Sequence, residues 1–152
     1  MGEPRIIECT VRDVVFGSDV TVLQPANLYE CEVGDGSFIG PFTEIQKGVT
    51  IGARAKIQSH SFVCELVTIG DDVFVGHGVM FINDTFSTGG PARGDRELWK
   101  STRIGDRVSI GSNATILPVE VCDDVVIGAG AVVTRSIHEP GTYVGNPARR
   151  VK

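Results

Sequence analysis

Residues 73–84 read VFVGHGVMFIND. Val75 and Phe81 stand six apart, and Val73 and Val79 keep the same interval two places earlier. Followed outward, one register of six runs through Val33, Ile39, Ile45, Ile51, Ile57, Val63, Ile69, Val75 and Phe81. The fifth place of each hexad holds Ser37, Thr43, Val49, Ala55, Ser61, Val67, Val73 and Val79, all small or β-branched. The second place is glycine at Gly34, Gly40, Gly52, Gly70 and Gly76. Backward, Phe16, Val22 and Leu28 keep the period with one residue dropped before Val33. Forward, Ile104, Ile110 and Ile116 resume it, and Val121, Ile127 and Val133 continue after a one-residue deletion in LPVEV.

A period of six does not match the 3.6 residues of a helical turn. It matches a short strand plus a turn, with the branched residue pointing inward and glycine allowing the bend. Three hexads then close one triangular coil, and each coil needs neighbours to pair its backbone. Six coils stacked at about 4.8 Å would make a prism about 29 Å long. The sequence therefore predicts an all-β chain, a parallel β-helix of hexapeptide repeats forming a single domain over 1–152. The rhythm breaks once, over about 82–103, where NDTFSTGGPARGDRELWKST carries the only tryptophan. Stacked coils can eject such an excursion loop at little cost, because closure entropy grows slowly with length, and loops of that length are commonly functional. After the last hexad, RSIHEPGTYVGNPARRVK leaves the coil through Pro140-Gly141, giving a C-terminal tail over about 137–152.

Composition agrees. The chain has 152 residues, 41% hydrophobic, enough for one domain with a core. Nineteen glycines suit many tight turns. A net charge of -5 argues against a general surface for a nucleic-acid polymer. No apolar run approaches the roughly 18 residues of a membrane span, so no membrane insertion is expected. MGEPRIIECT lacks the apolar core of a signal peptide. Cys9, Cys31, Cys64 and Cys122 lie far apart without a CxxC pair, as reduced thiols of a cytoplasmic protein would.

The run ILPVEVCDDVVIGAGAVVTRSIHEPGTYVGNPARRV, and a loop placed before TRIGDRVSIGSNATILP, resemble the hexapeptide-repeat acyltransferases. Within that superfamily, IQSHSFVCELVTIGDDVFVGHGVMFIND is most similar to the nucleotide-linked amino-sugar N-acetyltransferases of surface-polysaccharide synthesis. Those enzymes have a Gln-Asn-Asn stretch where this chain has Gln58-Ser59-His60, and Thr-Asn where it has Ile82-Asn83. The resemblance implies a left-handed coil and a homotrimer. It also implies that acetyl-CoA and a sugar meet in the groove between neighbouring prisms.

Acetyl transfer from a thioester needs a bound CoA, a neutral nucleophile, a donor for the oxyanion and an acid for the leaving thiolate. A hydroxyl acceptor needs a general base, and the O-acetyltransferases of the superfamily carry a histidine where this chain has Phe86. No histidine lies between His77 and His138. A deprotonated amine needs orientation more than a base, so the missing histidine favours N-acetylation of an amino sugar.

Asn83, at the launch of the loop, is the expected catalytic and acceptor-binding residue. Asp84 is a second acceptor contact, or else a local backbone cap. His60 and His77, one coil apart on one face with Ser59 below His77, are candidate bases or thiolate acids. His138, past the last hexad, reads as structural. Gly111, Ser112, Ala129 and Gly130, small residues one coil apart, leave room for the pantetheine arm. Arg149, Arg150 and Lys152 offer charge to its 3′-phosphate.

Two other readings share the fold. A sugar O-acetyltransferase would use His77 or His60 as base, and a scaffold would use neither. A γ-class carbonic anhydrase would need a second histidine at position 82, which is isoleucine. No metal is expected.

Overall fold

The structure, a computed structural model, describes residues 2–152. Short strands build three parallel sheets around one axis. Sheet 1 stacks seven: Val11–Arg12, Asn27–Tyr29, Glu44–Ile45, Phe62–Val63, Met80–Phe81, Thr115–Ile116 and Val132–Val133. Sheet 2 stacks six, from Val15–Phe16 to Glu120–Val121. Sheet 3 begins at Thr21–Val22 and runs through Phe38–Ile39, Lys56–Ile57, Phe74–Val75, Ser109–Ile110 and Val125–Ile127 to Gly141–Val144. The chain visits sheets 1, 2 and 3 in turn over about seven turns, and the fold is the left-handed parallel β-helix that the resemblance implied. Among the described residues no helix is long and apolar enough to cross a membrane.

The hexad explains the core. All nine first-position residues from Val33 to Phe81 and all eight fifth-position residues are buried. Three of the latter carry hydroxyls, each satisfied by a carbonyl: Ser37 Oγ donates to Gly52 O (2.9 Å), Thr43 Oγ1 to Gly40 O (2.8 Å) and Ser61 Oγ to Gly76 O (3.0 Å). Fully burying a Val or Ile side chain contributes about 1.5–3 kcal/mol, and stacking repeats that gain from coil to coil.

The bend does not come from the second-position glycines. The left-handed residue is the fourth of the hexad, as at Phe42 (φ 59°), Arg54 (55°), His60 (62°), Asp72 (56°) and Asn113 (60°). Glycine at the second place serves close approach between coils. A Cβ on Gly52 would lie 2.6 Å from the backbone carbon of Gly70 in the next coil.

The three corners differ. Between sheets 2 and 3 the carboxylates of Asp35, Asp71, Asp106 and Asp123 accept the N–H of Ser18, Ala53, Asp71 and Asp106 in the coil before (2.7–2.9 Å). Beside them Arg54 pairs with Asp72 and Arg107 with Asp124, each at 2.7 Å. This is the aspartate corner. Between sheets 1 and 2 lies the loop corner, where every edit of the period falls. The step from sheet 1 to sheet 2 is shortened at Leu28→Val33 and Ile116→Val121, and it is expanded between Phe81 and Ile104. Between sheets 3 and 1 lies the histidine corner.

Both irregular segments are more integrated than the sequence suggested. Ile82 still donates its N–H to Ile116 O (2.9 Å), and Thr102–Ile104 is already back in sheet 2. The excursion is therefore narrower than 82–103. Most of the expected tail continues the prism: Ile137 is buried and bridges Val121, and Gly141–Val144 pairs in parallel with Val125–Ile127. Only Arg149–Arg150 turns back, antiparallel to Tyr143 and Val144.

Candidate functional site

The histidine corner gathers most of the sequence candidates into one column. Its third positions are Ser59, His77, Ser112 and Ala129, and its fourth positions are Phe42, His60, Gly78, Asn113 and Gly130. Backbone bonds tie the coils in register: His60 N–H donates to Pro41 O (3.2 Å), Gly78 to Ser59 O (3.0 Å), Asn113 to His77 O (2.8 Å) and Gly130 to Ser112 O (2.9 Å).

Ser59 Oγ lies 2.9 Å from His77 Nδ1, the pairing expected from a one-coil offset. If Nδ1–H donates to Ser59, Nε2 is a base; if the serine donates, Nε2–H is an acid. His60 takes another partner. Its ring packs on Phe42, with centroids 4.9 Å apart and planes inclined by 30°.

The third-position N–H groups distinguish this corner from the aspartate corner. There a carboxylate caps those of Ser18, Ala53, Asp71 and Asp106; here no protein acceptor meets the N–H of Ser59, His77, Ser112 or Ala129 among the described residues. Glycines keep three of them uncovered. An added Cβ would lie 2.7 Å from Ser59 N at Gly40, 2.7 Å from Ser112 N at Gly76 and 2.4 Å from Ala129 N at Gly111. A row of outward donors flanked by small side chains suits an extended chain of amides and carbonyls, which is the chemistry of a pantetheine arm.

Arg149 lies at the foot of the same corner, while the antiparallel return carries Lys152 across sheet 3 to Thr142, whose N–H donates to Lys152 O (2.9 Å). Gly145 O accepts the N–H of Val132 (2.9 Å), and Ala148 N–H returns to Val132 O (2.8 Å). Arg150 is partly engaged, donating to Pro140 O (3.0 Å) and lying 3.5 Å from Glu139. Arg149 donates only to Ala148 O, and Lys152 has no acidic partner among the described residues. His138 is not on this corner; it lines a cleft beside Cys122, Asp123 and Arg103.

Asn83 and Asp84 are elsewhere. The strand Met80–Phe81 separates His77 from Asn83, so they flank sheet 1 with up to about 20 Å of extended chain between them. Asn83 Nδ2 donates to Glu65 O (3.2 Å), which leaves its amide oxygen free. The Glu65 carboxylate is paired with Arg96 of the loop. Both oxygens of Asp84 serve the loop backbone, one accepting from Phe86 N–H (3.0 Å) and the other from Ala92 N–H (2.7 Å). The cap reading describes Asp84. Arg96 and Glu65 escaped the sequence reading; only a register count, with Glu65 at the place of Asn83 one coil earlier, could have found them. Among the described residues no cluster of three or more His, Cys, Asp or Glu could hold a metal.

Two family models match: "Bacterial transferase hexapeptide (six repeats)" over residues 30–65 and "Hexapeptide repeat of succinyl-transferase" over 101–135. The serine acetyltransferase of Mycobacterium tuberculosis is 36% identical over 109 residues, covering 70% of this chain and 44% of that protein. The bifunctional protein GlmU of Trichodesmium erythraeum is 31% identical over 124 residues, covering 81% of this chain and 24% of its own length. The chain thus spans less than half of either relative. Among solved structures, a mutant of AntD, an N-acyltransferase from Bacillus cereus in complex with dTDP and Coenzyme A, superposes with a TM-score of 0.76. It shares 21% identity, covering 93% of this chain and 84% of that one. The recurring hexad, the three-sheet prism and the matches on both sides of the excursion place this chain in the hexapeptide-repeat superfamily.

Proposed function

We propose that the protein is an acetyl-CoA-dependent N-acetyltransferase acting on a nucleotide-linked amino sugar. The observation that carries this reading is the histidine corner itself. Uncapped backbone donors at Ser112 and Ala129 continue from His77 toward the Arg149 guanidinium, which has no acidic partner among the described residues. In this reading the pantetheine arm runs along Ser112, Ala129 and Gly130, with the 3′-phosphate at Arg149. Its thioester is presented near His77. The kinship with acetyltransferases and with a structure holding dTDP and CoA supports that assignment. So CoA, a cytoplasmic metabolite, would place the protein in the cytoplasm.

The reaction follows from these groups. The amine attacks the thioester carbonyl, and the oxyanion that forms is met by a backbone N–H, for which Ser112 is placed. The carbon–sulfur bond breaks, the amine loses a proton, and the thiolate gains one, giving amide and free CoA. His77, its Nδ1 held by Ser59, can relay that proton through Nε2.

Asn83 cannot join His77 within one chain, because sheet 1 lies between them. In the proposed homotrimer the loop corner of one protomer faces the histidine corner of the next, and the free Asn83 amide oxygen orients the amine there. One observation favours a second reading, a sugar O-acetyltransferase. A serine-fixed imidazole is what a hydroxyl acceptor would require of its base.

Incubation with labelled acetyl-CoA and matched amino and hydroxy sugars separates the two. Product stable to mild alkali is the expected amide; alkali-labile product would establish the ester, and no transfer to either would overturn the enzyme.

A further inference from the structure

Phe42 is anomalous. It occupies a fourth position with φ 59°, a conformation that suits Gly, Asn or Asp better than a bulky side chain, yet it is 58% exposed. One face of its ring meets His60 at 4.9 Å. Beside it a largely apolar groove of about 290 Å³ is lined by Cys9, Pro25, Ala26, Asn27, Thr43 and Glu44. The coil imposes the left-handed turn at fourth positions generally, so what marks Phe42 is an exposed aromatic ring where the later coils of this corner hold His60, Gly78, Asn113 and Gly130.

The rim supplies hydrogen-bonding edges. Asn27 Oδ1 already accepts from Arg12 (2.9 Å), which turns the donating amide nitrogen to the free side. Glu44 Oε1 accepts from Gln46 (2.8 Å), and its other oxygen is unclaimed. A flat apolar platform with one donor and one acceptor at its edge is suited to a heteroaromatic base.

Position selects the source of that base. Phe42 lies two coils before His77 on the same corner, about 10 Å away at the stacking interval, and on the side opposite Ser112 and Ala129. We propose that Phe42 and His60 form a stacking site for the nucleobase of the acceptor, with Asn27 and Glu44 at its edge. The location rests on the transferase reading; the binding test does not. Acceptor base, reacting amine, thioester and CoA phosphate then follow one another along a single corner of the prism.

The test titrates UDP, dTDP and GDP, and a sugar diphosphate lacking a base, into the full chain by calorimetry, without acetyl donor. At least one nucleoside diphosphate should bind, and the baseless compound should bind at least tenfold more weakly. Phe42→Ala should weaken nucleotide binding by about tenfold or more, the size of one base–aromatic stack, with CoA affinity unchanged. Phe42→Tyr should restore it. Unchanged nucleotide affinity in Phe42→Ala would overturn the site. So would an oligomeric state that changes in that variant, since the groove would then belong to a second copy. An acetyl transfer whose acceptor KM ignores Phe42→Ala sinks the stacking site and spares the transferase. A chain that binds the base but not CoA does the reverse.

Discussion

Ser59 and His77 show how one coil supplies a residue and the next orients it. The 18-residue interval brings a third-position hydroxyl under a third-position imidazole, at 2.9 Å. What that pair does depends on the acceptor. For an amine, His77→Asn and His60→Asn should each keep much of kcat, because the nucleophile needs orientation more than a base, and only His60→Asn should raise the acceptor KM, through the weakened stack on Phe42. For a hydroxyl, loss of the basic imidazole should lower kcat/KM by about 10²–10⁴-fold and remove one limb of the pH–rate profile. Asn83→Ala should reduce kcat/KM in either case while leaving thermal unfolding little changed, since Asn83 is outside the hydrophobic core. The pH–rate profiles of the three variants, measured on one amino and one hydroxy sugar, decide between the chemistries. A fully active Asn83→Ala would remove the loop corner from the site.

At the scale of the hexad, the second and fourth places do different work, and substitution should separate them. Gly52→Ala would set a methyl 2.6 Å from Gly70 of the next coil and should cost about 1–3 kcal/mol by overpacking, read as a lower urea midpoint. The aspartate corner has its own signature. Hydrogen bonds from Arg54 and Arg107 hold Asp72 and Asp124 below the usual carboxylate range. A depressed folded pKa gives stability that is present above the unfolded value, near 4, and lost as pH falls through the folded one. Thermal stability should therefore fall below about pH 4, and Arg107→Met should flatten part of that slope. An unchanged slope would leave these exposed pairs without a measurable part in acid stability. The repeat itself was legible because two buried registers of six admit no other fold. Glycine was misread as the bend because sequence shows which residue recurs, and only the backbone shows which φ is positive. Counting corners would have separated Asn83 from His77, since six residues always lead to the next corner. The antiparallel return of Arg149–Arg150 keeps no hexad, and nothing in its residues signals it.

The whole prism is tolerant at one corner and strict at the other two, and that asymmetry is what allows a site to be assembled from it. Because every change of period falls at the loop corner, the excursion can be lengthened or cut without shifting sheets 2 and 3 against sheet 1. If its tip then reaches a neighbour, each site takes Asn83 from one protomer and the histidine corner from another, and light scattering should find a trimer. Mixing tests this more sharply than mass. Asn83→Ala removes the loop contribution, and Ala129→Trp fills the groove beside Ser112 on an exposed side chain; each variant alone should be inactive. Co-expressed in equal amounts, they should regain up to about a quarter of the wild-type rate, since in a closed ring a given interface pairs an intact loop with an intact corner one time in four. A site that took Asn83 and the histidine corner from one chain would show no recovery at all, because every protomer of the mixture carries one of the two defects. Zero recovery in trimers shown to contain both variants would therefore overturn a site shared between protomers.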